Sequence, residues 1–206
     1  MEIDSNVWFK AKPDDPWCRG RVASFNHLQP SGKQVGPLKW EFVIRSQDDR
    51  GNLTGRSETL ITVPLGESSS EFEFVKLRNL SDDDASDNVH DLITLNHLHE
   101  PSILCCLQAR FMNKQIYTST GPILIAVNPF QNLGIYSTSN VGVYKKAGEE
   151  AAKLKAEFSL PPHVFKIADV AYRSMLLSYS NGQTTKANQS ILVSGESGAG
   201  SAICFS

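Results

Sequence analysis

The sequence predicts an α+β chain: a small β-barrel or curled sheet over residues 5–80, then an α/β-like segment from residue 89 onward. Three observations predict it. Large apolar residues alternate at period two in the first half, as in Trp40, Phe42 and Ile44 interleaved with Glu41, Val43 and Arg45. An acidic stretch, SDDDASDN at 81–88, interrupts that pattern and reads as a solvated linker with an N-cap at Asn88 rather than a cation site. Beyond it, helical spacing alternates with short apolar runs, and the last of these runs leads into a glycine-rich loop.

Taken in order, Val22–Phe25, the Trp40–Ile44 run, Leu60–Val63 and Phe72–Leu77 are strands. The turn-forming residues at 30–32, 49–52 and 66–70 separate them. Trp8, Trp17 and Trp40 either fill a small core or line a peptide groove. Val89–Leu98 is a short helix candidate. Pro101 opens a second helix, with Ile103, Leu104, Leu107 and Phe111 on one apolar face. Ile116–Thr120 and Ile123–Val127 are paired strands, and helical pieces follow at Val141–Ala156. Pro161-Pro162 precedes the strongest helix, whose stripe of Val164, Ala168, Ala171, Tyr172, Met175 and Tyr179 predicts core packing, with Asn181-Gly182 ending it. Gln189–Ser194 is a short buried strand that belongs in the middle of a larger sheet, so that its edges are left unpaired and residues 81–206 are marginal alone.

Composition narrows the function. The 206 residues carry 20 Lys+Arg against 22 Asp+Glu, a net charge of −2, which excludes a strongly basic nucleic-acid binder. The longest apolar runs, 103–107 and 123–127, are far short of the roughly 20 residues a membrane-spanning helix needs. The start, MEIDSNVWFK, lacks the apolar core of a secretion signal. Cys18, Cys105, Cys106 and Cys204 fit neither a zinc pattern nor a disulfide framework, which points to a reducing, cytosolic address. The Asn-x-Ser/Thr sequences at Asn52, Asn79 and Asn188 are then chance matches. His90, His97 and His99 lie near Asp91 and Glu100, but their spacing does not put two ligands on one helical turn, so they are not read as a metal site.

The chemistry concentrates at Gly195-Glu196-Ser197-Gly198-Ala199-Gly200. A strand followed by such a loop is the entry to a phosphate cradle, because glycines let successive backbone N–H groups turn toward an anion. The full pattern is G-x-x-x-x-G-K-[ST]. Gly195 and Gly200 supply its glycines, but Ser201 stands at the lysine and Ala202 at the Ser/Thr. No ammonium reaches the terminal phosphates, and no hydroxyl holds Mg²⁺.

The hexapeptide GESGAG behind an apolar strand resembles the myosin motor family, and so do three segments before it in the family's order. These are DLITLNHLHEPSILCCLQARF at 91–111, IYTSTGPILIAVNPFQNLGIY at 116–136 and PPHVFKIADVAYRSM at 161–175. VWFKAKPDDPWCRGRV and FEFVKLRN resemble, less specifically, strands of the family's N-terminal SH3-like barrel. The resemblance implies an SH3-like barrel (5–80), a linker (81–88) and the start of a phosphate-loop NTPase motor domain (89–206). It implies a parent that binds Mg-ATP, hydrolyses it and moves on actin filaments, with a cytoplasmic, cytoskeleton-associated address. Carried over by motif, Asn128, Pro129, Phe130 and Tyr136 border the adenine, and Gly195, Glu196, Ser197, Gly198, Ala199 and Gly200 form the phosphate loop. Gln131 and Asn132 stand where the family often has a basic residue. No residue is assigned a catalytic role, and none a metal. The chain itself is expected to be inactive, because the switch loops and actin-binding faces are not among its residues. A non-catalytic SH3-like protein-interaction module is the alternative.

Overall fold

A computed structural model describes residues 2–12, 14–28, 39–48, 53–64, 75–79, 89–156, 158–182 and 187–195. Two compact units emerge: residues 1–86 together with 95–106, and residues 87–94 together with 107–206.

The first unit is built on an antiparallel sheet. Strands β1 (Asn6–Phe9), β2 (Cys18–Leu28), β3 (Lys39–Gln47), β4 (Leu53–Pro64) and β5 (Val75–Leu77) lie in the order β4-β3-β2-β1-β5. Period-two alternation sends Val7, Phe9, Val22, Phe42, Ile44, Ile61 and Val75 to one face, where they form the core. An extra residue in β2 between Val22 and Ser24 resets the register so that Val22 still opposes Ile44. Gly20 is fixed by the same packing: a Cβ there would come within 2.5 Å of the Ile44 methyl and 2.8 Å of the Phe9 ring. No pairing joins β4 to β5 among the described residues, so closure of the sheet into a barrel is not seen. The predicted turns at 30–32, 49–52 and 66–70 and the acidic linker at 81–88 lie outside the described residues.

Trp8 points away from that core. It is buried beneath two guanidinium groups, with Arg19 and Arg78 at 5.3 and 5.5 Å from its ring. Trp17 carries Lys10 over its ring and donates to Glu100 at 3.2 Å. The side chain of Trp40 lies outside the described residues.

Asn79 ties residues 95–106 to the sheet. It is buried. Its Nδ2 donates to the His97 carbonyl and to Ser102 Oγ, both at 2.9 Å, and its Oδ1 accepts from the His97 N–H at 2.8 Å. An amide so engaged is closed to glycosylation. Leucine, similar in size, would strand the His97 N–H and carbonyl and the Ser102 hydroxyl. We expect Asn79→Leu to cost about 2 kcal/mol in urea unfolding, and an unchanged midpoint would refute this role.

In the second unit, Asp91 prevents the helix expected over 89–98. Its Oδ1 accepts from the Ile93 N–H at 3.1 Å and the Gly121 N–H at 3.0 Å, and its backbone bridges Ser119. A side chain that takes up local N–H groups competes with the helical ladder. Only a 3-10 turn, Leu92–Thr94, forms. Helix α1 (Glu100–Met112) starts with Pro101 as expected, but its apolar face is misread from sequence. Ser102, Cys106 and Arg110 are buried, whereas Leu104 is 54% exposed. The inward polar groups are tolerated because each has partners: Ser102 binds Asn79, and Arg110 binds residues of the next strand.

Strands β6 (Tyr117–Thr120) and β7 (Ile123–Ala126) make a hairpin turned at Gly121, whose φ of +56° suits glycine. Helix α2 (Thr138–Leu154) is capped by Ser137, which accepts from the Asn140 N–H. Helix α3 (Val164–Ser180) begins at His163 and ends at Asn181-Gly182. The stripe predicted to be core is not: no residue of α3 is fully buried, and Tyr172 and Tyr179 are more than half exposed. The contact with α2 pairs the Tyr144 and Phe165 rings near the start of α3 and is polar further along. Asp169 holds Arg173 at 2.6 and 2.9 Å, and Arg173 Nη2 donates to the Lys145 carbonyl of α2. Gly148 of α2 faces this pair, and a Cβ there would overlap the Asp169 carboxylate.

Gln189–Ser194 is neither a strand nor buried. Leu192 is 92% exposed, and no ladder partner pairs with this segment among the described residues. A strand is stabilised by its neighbours, and an apolar run without one gains nothing by extending.

Candidate functional site

Ile116, directly before β6, and the loop that follows β7 form a cavity of about 330 Å³, lined on the loop side by Pro129, Gln131, Asn132, Leu133, Ile135 and Tyr136. Local chemistry shapes the loop. Asn128 Oδ1 accepts from the Phe130 N–H and Asn132 Oδ1 from the Gly134 N–H, each at 2.9 Å, in two successive side-chain-capped turns. Gly134 has φ +67° and Phe130 φ +50°. The second turn is therefore made by the residue type that suits it, and the first is held by Asn128 despite a bulky residue.

One wall is backed by a ring cluster. The Tyr136 and Tyr117 hydroxyls are 2.8 Å apart. His163 lies behind them, 5% exposed, with ring centroids 4.9 Å from Tyr117, 5.7 Å from Tyr136, 4.9 Å from Tyr144 and 4.5 Å from Phe165. The Phe165 N–H donates to His163 Nδ1 at 3.1 Å, which makes the ring the cap of α3 and puts the neutral proton on Nε2. Nε2 is buried and makes no well-formed hydrogen bond; the Ile135 carbonyl nearby already accepts from Asn140 Nδ2 at 2.9 Å. Burial pushes the His163 pKa below its ordinary 6.5, and the Ile135 carbonyl offsets this in part. Burial likewise raises the Tyr144 hydroxyl, which donates to the Pro161 carbonyl.

The model of the myosin head (motor domain) matches residues 89–204, more than half of the chain. The chain belongs to the myosin head family. This myosin head segment is 41% identical over 117 residues to Myosin-3 of Arabidopsis thaliana, a stretch that covers 57% of this chain and 9% of that protein. It is 43% identical over 112 residues to the Myosin IA heavy chain of Dictyostelium discoideum, covering 54% of this chain and 10% of that one. With Myosin-1 of Saccharomyces cerevisiae it shares 35% identity over 161 residues, covering 74% of this chain and 8% of the relative. The chain thus spans about a tenth or less of the length of these relatives.

Of the residues singled out from sequence in this myosin head segment, the structure brings Pro129 and Tyr136 into the cavity wall, while Asn128 shapes the loop beneath. Phe130 does not join them and is 83% exposed. Gly195 is exposed, and Glu196, Ser197, Gly198, Ala199 and Gly200 lie outside the described residues. Leu133, Ile135 and Ile116 were not marked from sequence as site residues, nor was His163. The signal for His163 is a histidine directly after Pro161-Pro162, at the position where a helix cap belongs.

Proposed function

We propose that this chain carries the base side of the nucleotide site of an actin-based, ATP-hydrolysing myosin motor. The observation that supports this best is the cavity walled by the Asn128–Tyr136 loop in a chain of the myosin head family. Its size suits a nucleobase, and its lining is polar and apolar in similar measure, so that amide and hydroxyl groups stand beside apolar side chains. Actin filaments are the partner we assign to the whole motor, and the cytoskeleton is its address.

The phosphate side does not fit. Ser201 stands where the ammonium belongs and Ala202 where the magnesium-binding hydroxyl belongs, so no catalytic step is derived through Mg²⁺. What remains is a base-binding surface. About ten heavy atoms of adenine at about 0.3 kcal/mol each give roughly 3 kcal/mol, a Kd of several millimolar. We expect adenosine and ATP to bind the 206-residue chain with similar, millimolar affinity and no ATP turnover. ATP binding more than about tenfold tighter than adenosine, or actin-stimulated phosphate release, would overturn this.

A further inference from the structure

We propose that His163 is the positioning residue of this cavity: neutral, it holds Tyr136 in the wall, and protonated, it releases Tyr136 and opens the base side of the site. The ligand part of this rests on the nucleotide reading above. The coupling of His163 to Tyr136 does not.

The geometry leaves the ring one stable state. Nδ1 must stay unprotonated to accept from the Phe165 N–H, which is otherwise an orphan donor of the first turn of α3. A proton on Nδ1 breaks that cap and places a positive charge at the positive end of the helix. It also makes a buried cation whose desolvation is offset only in part, by the Ile135 carbonyl, which already accepts from Asn140, and by the surrounding ring faces. The groups facing it are the neutral tyrosines Tyr117 of β6, Tyr136 of the loop and Tyr144 of α2. On α3 itself Lys166, three residues on and of like sign, donates its Nζ to the Phe158 carbonyl and sits over the Phe158 ring. No carboxylate is in contact with the ring among the described residues. A charged His163 is driven from its place, and Tyr136, which packs on it and lines the cavity, is left with only the Tyr117 hydroxyl and the Phe165 ring to hold it.

The sign follows from burial. With its folded pKa below 6.5, the ring is neutral in the native state near pH 7, and the support is lost as pH falls through that lowered value.

The test is a pH titration of the full chain by NMR, without nucleotide. The His163 Cε1–H, the Phe165 amide and the Tyr136 ring signals are expected to trace one sigmoid with a shared midpoint below 6.5, while Tyr172 and Tyr179 on the exposed side of α3 stay flat. A His163 transition with flat Tyr136 and Phe165 signals overturns the proposal. So does a midpoint at or above 6.5, or movement of Tyr172 and Tyr179 with the same midpoint, which is general unfolding. His163→Asn, which keeps a capping side chain but cannot titrate, is expected to abolish the Tyr136 response. Persistence of that response in the variant refutes the assignment. Adenosine, added above and below the midpoint, separates the two readings. Shifts at Tyr136 only above the midpoint support release of the wall, and equal shifts on both sides overturn it. No shift at either pH overturns the nucleotide reading, and the titration still decides the coupling.

Discussion

Arg110→Ala is expected to destabilise the chain by about 3–5 kcal/mol, enough to remove a large part of a stability in the usual range of about 5–15 kcal/mol. Arg110 is 2% exposed and is the largest fully buried side chain among the described residues. Its Nε donates to Thr118 Oγ1 at 2.9 Å and its Nη2 to the Tyr117 carbonyl at 2.8 Å, both on β6. Truncation leaves those acceptors buried and unmet, at about 1–3 kcal/mol each, and opens a void where the side chain lay. Because β6 also carries Tyr117, whose hydroxyl meets Tyr136, the loss reaches the cavity wall. Arg110→Lys keeps the charge but not the planar fork and is expected to recover only part of the loss. Urea unfolding followed by circular dichroism measures both. An alanine variant within about 1 kcal/mol of the parent would contradict this account.

Gly148→Ala is the second large effect, about 2 kcal/mol net: a clash of about 3 kcal/mol less about 1 kcal/mol for the better helix propensity of alanine. The added carbon overlaps the Asp169 carboxylate, which is already committed to Arg173. Either the helices part or the ion pair breaks, and overpacking of this kind usually costs about 1–3 kcal/mol. The upper end applies because the Asp169 side chain is only 9% exposed, so a displaced carboxylate has little water to turn to. Asp169→Ala removes the obstacle. In a double-mutant cycle, Gly148→Ala should cost at least about 1 kcal/mol less on that background. Equal costs on both backgrounds would mean that the clash is not what keeps glycine here.

The strands around Phe42 and Ile44 are legible in the sequence because one face of a sheet is wet and the other dry, and period two records that difference. Helix α1 is legible as a helix from Pro101 and its length, but its orientation is not. The residues that turn inward, Ser102 and Arg110, are polar, and only their partners on other elements make burial tolerable. The stripe on α3 misleads in the opposite sense. Apolar spacing tells what a helix can bury, not what stands beside it, and beyond Phe165, which meets the Tyr144 ring, α3 meets α2 through Asp169 and Arg173. Gln189–Ser194 has strand composition, but a strand also needs a neighbour. At the site, the resemblance marks Asn128, Pro129, Phe130 and Tyr136 alike, but a motif does not tell which side chains turn inward, and Phe130 faces solvent. His163 escaped because its role depends on rings contributed by β6, the loop and α2, none of which is near it in sequence.

The path of the chain between the two units also bears on synthesis. Residues 1–86 are followed by eight that belong elsewhere before 95–106 return to finish the first unit. Asn79, Trp17 and Arg19 find their partners His97, Ser102, Glu100 and Cys105 only on that return. At about 5–20 residues per second, a nascent chain spends on the order of seconds between emergence of Asn79 and arrival of the helix that secures it. During that interval the newborn sheet is an unlatched assembly, the stage at which a ribosome-bound chaperone would have most to protect.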